Sequence, residues 1–223
     1  MGAFFTNVQL RRGPYTSVET IEMALDALAA EEGLERGDPD APAYDRTIVV
    51  RLGPGDWISV YDEVTELQYT TDLDLLAAIL AGATHSTCVS VLVHDSDVLL
   101  TGLFVDGKKV DEYCSDPMYM EGSIPTDMLP TPEQVAAVVG NPARWKHLLV
   151  PGATPEKLDD VWRNKADSAE DRLAQVAELL GWSMDRVRVG LNYFEFGEVP
   201  SVELLILPYV LANRGNTKVP YLN

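Results

Sequence analysis

The chain of 223 residues carries 35 acidic against 17 basic side chains, a formal net charge of −18, with 46% hydrophobic residues. The apolar fraction suffices for a buried core, and the charge argues against direct binding of DNA or RNA, where Lys and Arg supply much of the affinity. It points to a strongly solvated surface or to a basic protein partner reached by electrostatic steering.

No apolar run approaches the roughly 18 residues of a membrane span, and Met1-Gly2-Ala3-Phe4-Phe5 lacks the basic region and apolar stretch of a secretory leader. The expectation is a cytoplasmic protein that neither spans nor binds a membrane.

The first element is a strand over Phe4–Arg11, with Phe5, Asn7, Gln9 and Arg11 on one face, ended by Gly13-Pro14. Thr16-Ser17-Val18-Glu19 fits a capping box with Thr16 as N-cap, and Ile21, Ala24, Leu25 and Leu28 follow at helical spacing, so residues 17–31 form an amphipathic helix. The Gly, Pro and acid-rich stretch 31–44 reads as an exposed loop. Strands over Arg46–Leu52 and Trp57–Tyr61 flank the turn Gly53-Pro54-Gly55-Asp56. A second capping box at Thr71 opens a helix with the stripe Leu73, Leu76, Ala77, Leu80, ending at Gly82.

The most patterned stretch comes next. Apolar runs Val89–Val93 and Val98–Val105 and a shorter run Lys109–Tyr113 are joined by His94-Asp95-Ser96-Asp97 and by Asp106-Gly107, a strong hairpin signal. They predict a three-stranded meander. Its up, down, up course puts Cys88 and Cys114 at opposite ends of a ladder about 20 Å long, beyond the about 7 Å between Cα atoms that a disulfide tolerates. Both thiols are therefore expected free.

Residues Met118–Pro130 show no usable period, and a soft boundary falls near 130. Beyond it Thr131-Pro132, Thr154-Pro155 and Ser168 each begin a helix. The last has the stripe Leu173, Val176, Ala177, Leu180 and ends at Gly181, and runs Val187–Phe196 and Val202–Leu207 predict a closing hairpin.

The fold class is thus α+β. An antiparallel sheet in ferredoxin-like βαββαβ order over the N-terminal part is extended by the meander. Residues 1–130 form the sheet domain, and residues 131–223 add helices and a hairpin packed on it or extending it, as a second or as the same domain.

Two groups of residues are candidates for function. The first turn of the meander and the end of its third strand share one side, which brings His94, Asp95, Asp97 and Cys114 within about 10 Å, two strand spacings. Such residue types serve metal binding or acid–base chemistry. The competing reading is a plain turn in which Asp95 and Asp97 bond their own backbone and Cys114 is a small buried side chain. In GDWISVYDE, Trp57 and Tyr61 share a strand face, and with Asp62 and Glu63 they would make an aromatic and acidic interaction platform; packing under a helix is the alternative. Phosphate-binding glycine loops, G-x-S-x-G, H-E-x-x-H and C-x-x-C are absent from the chain, and no cofactor is expected.

The blocks GDWISVYDE, VSVLVHDSDVLLTGLFVDGKKVDEYCSDP and EDRLAQVAELLGW resemble a group of uncharacterised bacterial proteins with VYDE, HDSDVL and DGxxVDEY blocks. The resemblance implies no activity and assigns no functional residue. Charge and motif content favour a binding protein, for instance an inhibitor or immunity-type partner of a basic protein. The alternative is an enzyme or metal-dependent protein using His94, Asp95, Asp97 and Cys114.

Overall fold

Eight strands of the computed structural model form one antiparallel sheet, and the structure describes residues 2–38, 41, 43–118, 131–165, 167–194 and 203–212. The strands are β1 (Phe5–Arg11), β2 (Leu34–Arg36), β3 (Arg46–Arg51), β4 (Trp57–Asp62), β5 (Thr87–His94), β6 (Val98–Val105), β7 (Lys108–Cys114) and β8 (Leu204–Leu211). Their order across the sheet is β2-β8-β3-β4-β1-β5-β6-β7.

Both faces of the sheet are covered, which is why β5 and β6 read as continuous apolar runs rather than as alternations. Helices α1 (Val18–Glu31) and α2 (Thr70–Ala83) cover one face over Val8, Leu10, Ile58, Val60, Leu92 and Leu100. The other face meets α4 (Pro142–Trp145), α5 (Pro155–Arg163), α6 (Ala169–Leu180) and α7 (Met184–Val187), over Phe5, Val89, Val91, Leu99 and Leu103. Helix α3 (Pro132–Ala137) precedes this layer and buries none of its own residues.

Caps set the helix starts, with two shifts from expectation. Ser17, not Thr16, caps α1 and accepts from Thr20 N at 3.1 Å, while Thr16 Oγ1 accepts from Gly13 N at 2.9 Å. Helix α2 begins one residue before Thr71, behind Tyr69, which makes no side-chain cap. Thr131, Thr154 and Ser168 cap α3, α5 and α6 as expected, and Gly181 ends α6 in the left-handed region.

Two expectations are overturned. Part of the 31–44 loop is the edge strand β2, paired with β8. No closing hairpin forms among the described residues: β8 is a single strand inserted between β2 and β3, in register Arg46↔Tyr209 to Arg51↔Leu204. Of the partner run Val187–Phe196, the described part is the end of α7 and a 3-10 turn at Leu191–Tyr193. The alternation Val187, Val189, Leu191 imitates a strand, but the carbonyls there are met by sheet side chains instead of a neighbouring strand. The irregular stretch 119–130, the boundary near 130 and Phe196 lie outside the described residues. Among the described residues, no helix is long and apolar enough to cross a membrane.

Candidate functional site

The end of the meander was the first candidate, and the side chains of His94, Asp95 and Cys114 each take a different partner. His94 closes β5; its Nδ1 pairs with Gln68 Oε1, and its ring stands edge-on to Phe4 at 4.7 Å. Burial pushes its pKa down. Asp95 and Ser96 take the left-handed conformation at φ 49° and 61°, and they accept from the backbone N–H of Gly2 and Ala3 at 3.2 and 2.8 Å. Asp97 N donates to His94 O at 3.0 Å and closes the turn.

Cys114 pairs with Leu100, one strand away from β5 and two positions inward of the His94↔Val98 pair. Its buried thiol donates to Asp116 O at 3.1 Å. His94, Asp95, Asp97 and Cys114 thus share a sheet end, with the side chains of His94, Asp95 and Cys114 on different partners. Among the described residues, no group of three or more His, Cys, Asp or Glu is placed to hold a metal ion.

Cys88 and Cys114 are both free and buried. Burial raises both thiol pKa values, that of Cys114 to about 12. At pH 8 the nucleophilic thiolate is scarce and shielded. Native protein is expected to react with a thiol reagent at least about 100-fold more slowly than unfolded protein, gated by opening of the fold. Labelling of either cysteine at the unfolded rate would contradict this burial.

The interaction platform is corrected by the C-terminal layer. Trp57 is buried, donates from Nε1 to Leu180 O at 3.0 Å and meets Trp182 edge to face at 5.7 Å. Tyr61 is fully buried, donates to Arg186 O at 2.9 Å, and has its pKa pushed up to about 12 by that burial. Asp62 is buried against Arg46. Only Glu63 is exposed, and its carboxylate accepts from Thr47 N at 2.9 Å.

What the residues build instead is a polar seam between the sheet and α7. Besides Trp57 and Tyr61, Asn7 Nδ2 donates to Val187 O and Val189 O, both at 2.9 Å, and Arg51 Nη1 to Asp185 O at 3.1 Å. Ser59 donates to Gln9 Oε1 at 2.9 Å, and Gln9 Nε2 to Asn7 Oδ1 at 2.8 Å, which fixes the Asn7 amide. Buried polar side chains thus satisfy a helical segment whose carbonyls lack strand partners. The signal was the polar Asn7 and Gln9 inside a strand; sequence placed them on one face without showing what covers it.

Comparison with protein-family models, curated proteins and solved structures returned no match for this chain.

Most of the cations near the sheet bond to the protein's own groups, and among Arg12, Arg36, Arg46, Arg51 and Lys109 only Arg46 is buried. Arg46 is held between Asp62 and Glu32, Arg51 meets Asp185 at 2.6 Å, and Lys109 meets Asp74 at 2.7 Å as well as Glu112. Arg36 pairs with Asp26 at 2.6 Å, and Arg12 donates to the carbonyls of Leu52, Gly53 and Gly55 around the β3–β4 turn. These cations are turned onto the protein's own carboxylates and carbonyls. Glu19 and Glu31 on α1 and Glu35 on β2 are exposed and make no ion pair among the described residues.

Proposed function

We propose that the chain is a binding protein rather than an enzyme, and that its acidic surface around α1 and β2 engages a basic protein. The observation that carries this is pairing: Arg12, Arg36, Arg46, Arg51 and Lys109 are each bonded to the protein's own carboxylates or carbonyls, while Glu19, Glu31 and Glu35 are exposed and make no ion pair among the described residues. With 35 acids against 17 bases, the outward field is negative and steers a cationic partner. An inhibitor of the immunity type, acting in the cytoplasm on a basic protein, is the specific form of this proposal.

An enzyme using His94, Asp95, Asp97 and Cys114 would need those side chains to converge, whereas those of His94, Asp95 and Cys114 bond to Gln68, Gly2 and Asp116. For the scaffold we propose a ferredoxin-like unit in β1, β3, β4 and β5 with α1 and α2. What supports it is the partial order β3-β4-β1-β5, all antiparallel, with both helices against one face.

The test is co-purification of the tagged chain from its source cells, beside a Glu19→Lys/Glu31→Lys/Glu35→Lys variant. A basic protein should bind the parent chain, with affinity falling at least about tenfold between 50 and 200 mM salt and again in the variant. A partner indifferent to both salt and charge reversal would sink the proposal.

A further inference from the structure

The sheet has two edges, and the chain covers them unequally. Along β7, Cys114 N donates to Val138 O at 2.8 Å and Arg144 Nη1 donates to Val110 O, so residues 138–144 take up main-chain groups on that side. Along β2, Gly37 N donates to Pro208 O at 2.8 Å and Ala212 N to Gly33 O at 3.1 Å, which turns positions 33, 35 and 37 towards β8. Alternation then turns the N–H and C=O of Leu34 and Arg36 outward, and among the described residues no strand or main-chain group meets them there.

Side chains alternate along the same strand. Leu34 and Arg36 face α1: Leu34 packs against the core beneath that helix, and Arg36 pairs with Asp26 and lies over the Tyr209 ring. Glu35, opposite Val210, stands on the other face and is exposed. Residues 22–38 hold six acids, Glu22, Asp26, Glu31, Glu32, Glu35 and Asp38, against the single base Arg36, which Asp26 neutralises at 2.6 Å. Leu34 is half-buried and its cross-strand partner Leu211 is 45% exposed, so the α1 side of the edge keeps an apolar rim.

An edge of unpaired N–H and C=O groups is a template for a further strand, and the charge around it selects the occupant. A second copy of the chain brings another net charge of −18 and the same acids to the edge, and is repelled. We propose that β2 receives an extended segment of alternating basic and apolar residues from the basic partner, added as a ninth, antiparallel strand. This rests on the reading of the acidic surface around α1 and β2 as the docking face and specifies how that face is engaged. Apolar residues of the segment stand opposite Leu34 and Arg36 and exchange both main-chain bonds with them, and a Lys or Arg between them stands opposite Glu35. Recognition is by main chain and charge, so a generic peptide of that pattern is a fair probe.

The probe is acetyl-Lys-Val-Lys-Val-Lys-Val-amide, titrated into the full chain at about 50 mM salt. It should slow hydrogen exchange of the Leu34 and Arg36 amides by at least about tenfold, while Gly37, whose N–H is bonded to β8, changes little. Methylating the backbone nitrogens of the Val residues removes the donors aimed at β2 and should weaken binding about tenfold; methylating those of the Lys residues, which point to solvent, should leave it within about twofold. Equal affinity of the two methylated peptides, unchanged exchange at Leu34 and Arg36, or no binding of the parent peptide would each overturn the added strand. The acidic-surface reading fails by a different result, co-purification that ignores salt and charge reversal. Three peptides that bind alike, and all more weakly at about 200 mM salt, would remove the strand and leave that reading standing.

Discussion

Arg46→Met is expected to lower stability by about 3–5 kcal/mol, or about 10 °C in Tm for a chain of this size. Asp62 is 0% exposed, and its two carboxylate oxygens are met by Arg46, Nε reaching Oδ1 at 2.9 Å and Nη2 reaching Oδ2. Oδ1 also accepts from Val64 N at 3.2 Å. Burial works against the Arg46 cation, but Asp62 and Glu32 outweigh it and raise its pKa. Removing Arg46 leaves a carboxylate in the interior with one backbone N–H, and the cost is mainly that stranded charge rather than the lost attraction.

The double variant Arg46→Met/Asp62→Leu should therefore recover most of the loss. The pH dependence of the single variant follows from the same charge. With the guanidinium gone, burial raises the folded-state pKa of Asp62 above its unfolded value, so the deficit is smallest below the unfolded pKa and grows as pH rises through the folded one. Urea unfolding at several pH values checks both points. A single variant as stable as the parent, or a double variant no better than the single, would contradict this account.

Asp62 was expected on an interaction surface, and the reason for that error applies to much of the chain. A period of two assigns Trp57 and Tyr61 to one sheet face but says nothing of what lies against it. Their cover is supplied from residues 180–187, more than a hundred positions later. The meander was legible because its pairs are local: β5, β6 and β7 follow one another, and Asp106-Gly107 makes the turn between the last two, with Asp106 at φ 47° and Gly107 at φ 79°. Strand β8 was legible as an element and illegible as a neighbour, since its place between β2 and β3 joins the C-terminal part to segments near residues 34 and 46.

The same division between local and distant partners governs the candidate site. The turn at His94–Asp97 was placed correctly, yet Gln68, Phe4 and Gly2, which take up the side chains of His94 and Asp95, come from elsewhere in the chain. Charge behaves differently again. The excess of acids is visible in composition, but only the fold shows which groups take up the cations, Arg46 buried between strands and Arg12 exposed on the carbonyls of a turn. With those cations taken up by other groups, exposed carboxylates such as Glu19, Glu31 and Glu35 make no ion pair among the described residues.

Trp145→Ala should cost about 3–5 kcal/mol, comparable to the loss of Arg46 but through packing and not charge. Trp145 is 0% exposed although it belongs to a helix of only four residues, which cannot be stable through its own hydrogen bonds. It is held by an edge-to-face contact with Trp162 at 5.4 Å, and Trp162 in turn lies flat on Tyr113 of β7. Its Nε1 donates to Asp111 Oδ2 at 2.7 Å, an oxygen that also accepts from Asn141 N at 2.8 Å. The aromatic stack and the Asp111 carboxylate together fix α4 and α5 to the edge strand. Trp145→Phe keeps most of the ring and loses the N–H, so its cost should be about 1–2 kcal/mol, with Asp111 still bonded to Asn141. Hydrogen exchange separates local from global effects: the alanine variant should lose protection first in residues 142–163 and in β7, while β1 and β4 stay protected to the global limit. Uniform loss across the sheet, or an alanine variant within about 1 kcal/mol of the parent, would show that the stack does not hold the C-terminal layer in place.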